Sequence, residues 1–127
     1  MRTGTWIALL MLALVVACGV ISMNVTADVS RTYTNAAEEL MLLTQKQDWQ
    51  RVADEAEAYR QSWEGKLDWL HMLVNHGDID AVTEALRAVQ AGAAAQDLPT
   101  ALMGCHQLSE AAEHIYHRDA FTLGNIL

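Results

Sequence analysis

Apolar residues recur every three or four positions between Asp48 and Gly77, the spacing that places side chains on one face of an α-helix. The stripe consists of Trp49, Val52, Ala56, Tyr59, Trp63, Leu67, Leu70 and Val74. Aspartate commonly caps helix N-termini and glycine commonly follows helix C-termini. The pattern therefore predicts one long helix that Asp48 caps and Gly77 stops.

Three further stretches show the same helical spacing. They predict a helix before Asp48, a helix that begins just after a turn at Asp78 and Asp80, and a last helix beyond the break at Asp97-Leu98-Pro99. The three stripes are Tyr33, Ala36, Leu40 and Leu43; Ile79, Val82, Leu86, Val89 and Ala93; and Ala101, Cys105, Leu108, Ala112 and Ile115. No stretch combines strict alternation with β-branched residues, so no strand is predicted.

These elements predict an all-α fold. An N-terminal membrane helix is followed by about four antiparallel helices, because short connections force neighbouring helices to run in opposite directions. They form two helical hairpins, packed either as a bundle or as a short stack of the helical-repeat kind. The first soluble helix is expected to continue from the membrane helix. Residues 91–95 are alanine and glycine alone, which predicts a close approach of another helix there.

The membrane helix is predicted from residues 6–23, which contain no charge and no proline. At about 1.5 Å per residue this segment reaches about 27 Å, close to the roughly 30 Å of a bilayer core. Arg2 precedes it, and the positive-inside rule places that end in the cytoplasm. We therefore divide the chain into residues 1–24, a membrane anchor or lipoprotein signal segment, and residues 25–127, an extracytoplasmic helical domain.

Cys18 leaves a second mode of attachment open. The small residue Ala17 before it and Gly19 after it resemble a lipoprotein processing site, in which the cysteine carries the lipid. Against this, the chain stays apolar for several residues beyond Cys18, whereas processed lipoproteins usually turn polar at once. We favour an uncleaved signal-anchor on the cell membrane, with lipoprotein anchoring through Cys18 as the alternative.

The composition limits the partners of the domain. The chain has 16 Asp and Glu against 8 Lys and Arg, and an acidic surface repels phosphate backbones and anionic headgroups. Nucleic acid is therefore not expected as a partner, and the membrane is contacted through the N-terminal segment. Cys105 is the only cysteine beyond the apolar segment, so we expect no internal disulfide and a buried thiol.

The chemistry-bearing residues form two groups with possible metal-ligand spacing. The first comprises Glu110, Glu113, His114 and His117; the second comprises His71, His76, Asp78 and Asp80. Acidic residues after a turn commonly cap a helix, so we expect Asp78 or Asp80 to cap the helix that follows. A histidine near a helix C-terminus, as expected for His76, interacts well with the helix dipole. The sequence has no phosphate-binding glycine loop and no nucleophile motif. We therefore predict no metal site, no cofactor and no enzymatic activity.

Several short motifs, taken in order, resemble one bacterial family. They are an acid-Trp helix start at Asp48-Trp49, the aromatic pair Trp63 and Trp69, the turn His76-Gly77-Asp78-Ile79-Asp80, the segment Glu113-His114-Ile115 and the end Asn125-Ile126-Leu127. The chain thereby resembles the family known as domain of unknown function 4363. Members of that family have an N-terminal membrane segment and tend to be encoded near small integral membrane proteins. The resemblance implies a membrane partner.

The motif residues that the helical stripes do not explain form our candidate site. It consists of His76, Asp78, Asp80, His114, Trp69 and Asn125. Alternate helix ends of an antiparallel bundle lie together, so we predict that the rings of His76 and His114 meet. The apolar tail would fold back over them, with Asn125 fixing the turn. We interpret this cluster as structural, and as a ligand turn in the alternative.

Helical hairpins outside a membrane commonly bind other proteins through a groove. The sequence therefore favours a non-enzymatic accessory or protein-interaction domain for an integral membrane or envelope protein. The alternative is a small-ligand or metal-sensing extracytoplasmic domain that uses Trp69 with the His and Asp turn. A continuous first helix is also compatible with a parallel homodimer.

Overall fold

The protein was analysed as a computed structural model, which describes the backbone of residues 2–126 and the side chains of residues 2–116. The described backbone forms four α-helices and no strand: α1 (Arg2–Gln45), α2 (Trp49–Leu73), α3 (His76–Ala95) and α4 (Leu98–Ile126). The all-α prediction is confirmed. The apolar segment and the first predicted soluble helix form the single helix α1, so the apolar segment and the domain share one continuous backbone.

The helices associate as a bundle. Each helix packs against the next one in the chain, and α4 closes the arrangement by packing extensively on α1. An open stack of hairpins would leave the first and last helices apart. The bundle uses α1 only from Thr26 onward, because the side chains between Arg2 and Val20 are almost all exposed.

The predicted stripes form the core. Every residue of the stripes on α1, α3 and α4 is buried. On α2 four stripe residues are fully buried, and Trp49, Tyr59, Leu67 and Val74 pack against the core from its edge. Trp63 and Tyr33 are the largest buried side chains, and their rings meet edge to face with centroids 5.0 Å apart. The 3.6-residue period therefore identified the buried face of each helix.

Cys105 lies in this core, as its stripe position predicted, and is fully buried. Its sulfur lies 3.9 Å from the hydroxyl oxygen of Thr44 on α1. Burial raises the pKa of the Cys105 thiol, an effect that the Thr44 contact partly offsets. A buried, protonated thiol is a poor nucleophile, which agrees with a packing role.

Polar side chains connect α2 to both of its neighbours. The hydroxyls of Tyr33 and Ser62 lie 3.0 Å apart, and Tyr59 donates a hydrogen bond to Glu39. Burial, followed by that hydrogen bond to a carboxylate, raises the pKa of Tyr59 to about 12. On the other side of α2, the indole of Trp63 donates to the hydroxyl of Thr83 at 2.9 Å. These bonds set the register of α1, α2 and α3.

A second polar link joins α2 to α3 at the surface. Gln90 donates to Glu57 at 2.6 Å, and Glu57 also pairs with Arg60 in the next turn of its own helix. Hydrogen bonds from Arg60 first, and then from Gln90, lower the pKa of Glu57 to about 2. Glu57 is solvent-exposed enough for screening to make this pair a minor contributor to stability.

At the first and third turns, the chain reverses direction through a glutamine whose backbone is in the left-handed region. Gln47 has φ 56° and Gln96 has φ 52°, a backbone region that glycine adopts most easily. Gln96 caps α3, with its N–H bonded to the carbonyls of Ala93 and Gly92. Asp48 caps α2 by accepting a hydrogen bond from the Arg51 N–H, which confirms the predicted cap.

The turn between α2 and α3 corrects the predicted helix ends. Helix α2 ends at Leu73 with Val74 as its C-cap, and α3 already begins at His76. Asn75 is the N-cap, accepting a hydrogen bond of 2.7 Å from the N–H of Gly77. The predictions that Gly77 stops the long helix and that Asp78 or Asp80 caps the next one are therefore wrong. Asparagine is among the strongest N-cap residues, and it acts here one turn earlier.

Helix α4 begins at the predicted break and ends later than predicted. Pro99 lies in its first turn, where the missing N–H costs nothing, and Thr100 donates to the carboxylate of Asp97. The helix then continues through Asn125 to Ile126. The prediction of a turn at Asn125 that folds the tail back is therefore wrong.

Candidate functional site

The predicted site residues of the α2–α3 turn lie at the surface. His76 is the first residue of α3, and its ring lies against that of His71 on α2, with centroids 4.5 Å apart. Asp78 stands in the first turn of α3, where a negative charge is favoured by the helix dipole. Asp80 is exposed two residues later. The turn therefore brings the two histidine rings together, and the two aspartates follow near the start of α3.

His114 belongs to a different surface. It lines an open groove of about 450 Å³ between α3 and α4. Among the described side chains, the ring contact of His76 is with His71, whereas His114 lines the groove together with Ala81, Glu84 and Ala85 of α3. The structure thus assigns the two motif histidines to two separate features.

This groove, which we call the α3–α4 groove, has an alanine floor and a polar rim. Its lining residues are Ala81, Glu84, Ala85 and Ala88 from α3 and Gln107, Glu110, Ala111 and His114 from α4. Alanine side chains leave room for another backbone to approach closely, and the rim presents two carboxylates, an amide and an imidazole. The groove can therefore accept an apolar surface while pairing with donors or positive charges along its edge.

The helices that flank the groove pack at close range. A Cβ added to Gly104 would lie 2.7 Å from the backbone nitrogen of Val89, and one added to Gly92 would lie 2.5 Å from that of Ala101. The close approach predicted for residues 91–95 is thus confirmed at Gly92. The sequence identified the small residues there, but not the groove that α3 and α4 enclose further along.

The two groups with metal-ligand spacing do not assemble into a ligand set within the described side chains. Among residues 2–116, no three His, Cys, Asp or Glu side chains come together in a way that could hold a metal ion. Glu110 and His114 share the groove with Glu84, but as members of its rim. The side chains of His117 and Asn125 lie outside the described part of the chain, as does the end of the apolar tail.

Trp69 marks a third feature, an exposed apolar patch at the end of α2. Trp69 is 36% exposed, Leu73 is 39% exposed and Met72 is 82% exposed. All three lie off the buried stripe of α2, and we call them the α2-end patch. Of these three residues, only Trp69 was predicted as a site residue from the sequence. Met72 and Leu73 could have been found by the same criterion, because apolar residues outside a helical stripe face away from the core.

The first part of α1 presents a long exposed apolar surface. Within the described residues, α1 is the one helix long and apolar enough to cross a membrane, and no side chain of that apolar window is buried in the bundle. Trp6, Leu10 and Val15 are each exposed by more than half. A surface of this size and composition is typical of a membrane anchor or of a signal sequence.

The described fold is therefore a helical bundle whose first helix extends into an exposed apolar segment. A family model described as a domain of unknown function (DUF4363) matches residues 20–126. The chain belongs to the DUF4363 family, as the order of its motifs predicted. Comparison with curated proteins and with solved structures gives no match.

Proposed function

We propose that this protein is a membrane-tethered, non-enzymatic interaction module whose α3–α4 groove binds a helix of an integral membrane or envelope protein. The α3–α4 groove carries the proposal, because it joins an alanine floor to a charged rim on a domain continuous with an apolar helix. The occupant we infer is a single helix with small or apolar residues on one face and Lys or Arg beside them.

The chemistry of the rim supports a basic partner. Glu84 and Glu110 stand on opposite sides of the groove, one on each helix, and both are exposed. A helix seated between them would place its basic side chains within reach of both carboxylates. Such charges guide association and fix register more than they add affinity, and the apolar floor supplies the buried surface.

We further propose that the domain consists of two antiparallel hairpins, the arrangement that exposes α3 and α4 side by side. Paired contacts support it. Gly92 lies against Ala101 and Val89 against Gly104, so that later positions on α3 meet earlier positions on α4. Glu57 with Gln90 and Trp63 with Thr83 show the same inverse order between α2 and α3.

For attachment we propose an uncleaved signal-anchor that places the bundle on the extracytoplasmic side. The support is the unbroken helix through Cys18, the apolar residues beyond that cysteine and the position of Arg2 before the span. Cys18→Ser distinguishes this proposal from a lipoprotein. We expect unchanged electrophoretic mobility and unchanged retention in membranes, because Cys18 then contributes only as a small side chain. Accumulation of a larger, unprocessed precursor in the variant would establish lipid attachment instead.

Binding in the α3–α4 groove is tested by affinity purification of the tagged full chain from detergent-solubilised membranes. A photoreactive residue at Gln107, within the groove, should crosslink to a stoichiometric partner, and one at Gln61 on the exposed face of α2 should not. The double variant Glu84→Lys/Glu110→Lys places positive charges on the groove rim, where they would repel the basic side chains of the partner helix. We expect recovery of the partner to fall at least about tenfold, equivalent to about 1.4 kcal/mol.

Glu38→Lys/Asp54→Lys is the matched control, since it reverses two exposed acids that do not line the groove. Equal losses in both double variants would mean that net charge, and not the groove, governs binding. A crosslink from Gln107 to a second copy of this chain would replace the proposed partner by a homodimer. A solitary chain that carries a bound metal or small molecule would favour the sensing alternative.

A further inference from the structure

We propose that the α2-end patch, formed by Trp69, Met72 and Leu73, inserts into the interfacial layer of the same bilayer that holds α1, so that the bundle rests on the membrane surface. This inference rests on the membrane anchoring in the proposed function. It concerns a surface separate from the α3–α4 groove.

The register between α1 and α2 brings the patch to the level of the membrane boundary. Tyr33 on α1 lies beside Ser62 on α2, and Glu39 lies beside Tyr59, so positions further along α2 meet earlier positions on α1. Met72 is ten residues beyond Ser62, and Met23 is ten residues before Tyr33. At about 1.5 Å per residue, both lie about 15 Å from the Tyr33–Ser62 contact.

Met23 is the last residue of the predicted membrane segment, residues 6–23, so the end of α2 stands level with the predicted end of the span. The patch therefore lies toward the side of the bundle from which the apolar part of α1 extends. Side chains at this height face the headgroup layer, where tryptophan is favoured because its ring is apolar and its N–H finds polar partners. Trp6 occupies the corresponding position at the opposite end of the span.

The exposed large apolar side chains of the bundle are concentrated in the patch. Beyond the apolar segment, five large apolar side chains are exposed among residues 24–116: Leu42, Trp69, Met72, Leu73 and Met103. Three of these five fall within five consecutive residues of α2. Single exposed apolar residues are ordinary on soluble surfaces, but a cluster beside a membrane boundary has a bilayer within reach.

The charges around the patch indicate how it would bind. Acidic residues lie close in sequence to the patch: Asp68 precedes Trp69 on α2, and Asp78 and Asp80 lie near the start of α3. Anionic headgroups would repel these carboxylates. The apolar side chains must therefore drive the association, and it should occur on zwitterionic lipid without any anionic component.

Fluorescence quenching by brominated lipid tests the proposal in the full chain. The chain carries Trp6→Phe, which removes the indole of the span, and is reconstituted in vesicles of plain or acyl-brominated phosphatidylcholine. Trp49, Trp63 and Trp69 remain. We expect bromine to remove up to about a third of the emission, the share of one indole among three. Trp63 is buried in the core and Trp49 lies at the far end of α2, so neither should respond.

Three further variants show which residues are responsible for the quenching. The double variant Trp6→Phe/Trp69→Phe should show no quenching by brominated lipid. Met72→Ser/Leu73→Ser in the Trp6→Phe background should lose most of the quenching with the helical circular dichroism unchanged. Leu42→Ser in the same background, at an exposed apolar site outside the patch, should keep it.

Equal emission in plain and brominated vesicles, from protein that floats with them, would overturn the proposal while leaving the anchor intact. Quenching that persists without Trp69 would overturn it as well. A chain that fails to float with the vesicles would refute the anchoring itself, and this inference with it.

Discussion

Trp63→Ala is expected to destabilise the bundle by about 3–5 kcal/mol, the range typical of removing a large aromatic side chain from a core. Trp63 is fully buried at the centre of α2 and packs edge to face against Tyr33. It also donates to Thr83, whose hydroxyl in turn donates to the carbonyl of Ile79. The substitution therefore leaves a cavity at the point where α1, α2 and α3 meet.

The loss is measured as a thermal melt of the full chain in detergent micelles, followed by circular dichroism. For a bundle of this size each kcal/mol lowers Tm by about 4–8 °C. Trp69→Ala is the matched control, because the same residue type at a partly exposed position should cost about 1 kcal/mol or less. Similar losses for the two variants would contradict the central position that the structure gives Trp63.

Gly104→Ala is expected to destabilise the protein by about 1–3 kcal/mol, although alanine is the better helix former. The added Cβ would lie 2.7 Å from the nitrogen of Val89 and 3.0 Å from the carbonyl carbon of Ala88. Both are backbone atoms, so no side chain can move aside and α3 must separate from α4. Gly92→Ala should behave in the same way, since its Cβ would meet the backbone of Ala101.

Gly65→Ala is a control for which we expect a change in stability of the opposite sign. Gly65 lies in the middle of α2, and a Cβ there has no neighbour within 4 Å. Alanine should therefore stabilise the helix by up to about 1 kcal/mol. Melts of the three alanine variants under identical conditions test this comparison. If Gly104→Ala and Gly65→Ala shift Tm in the same direction, α3 and α4 are not in backbone contact at Gly104.

The proposed groove depends on the same close contact. Glu84 and Glu110 stand on the two helices that Gly104 and Gly92 hold together. A glycine variant that separates the helices should therefore weaken partner recovery even at temperatures where the bundle stays folded. The charge-reversal variant should weaken recovery without changing Tm. The two kinds of variant thus separate the shape of the groove from its charge.

Most of the fold was predictable because the relevant information is local. A helix repeats every 3.6 residues, so Leu40, Trp63, Leu86 and Leu108 could each be assigned to a buried face from their own neighbours in the chain. The same holds for the burial of Cys105 and for the cap at Asp48. The apolar segment before Asn24 was evident from composition, and its continuity with the first soluble helix followed from the absence of a helix breaker.

The α2–α3 turn was predicted less well because two local signals compete there. Gly77 suits a helix end and Asn75 suits a helix start, and they are two residues apart. A start at His76 places Ile79 fully in the core and lets Asn75 accept the N–H of Gly77. The burial of Ile79 against other helices favours this helix start. It depends on tertiary contacts, which cannot be deduced from the sequence around the turn.

The sequence by itself determined that the chain is helical, which face of each helix is buried, that the domain is acidic and that an apolar segment precedes it. Only the tertiary structure decided that His76 lies with His71, that His114 lines a groove with Glu84, and that Met72 stands level with Met23. The reason is physical: helix periodicity arises from neighbours along one backbone. A groove between helices, or the height of a patch along the bundle, arises from the register between different helices. That register is set by contacts between side chains that are distant in sequence.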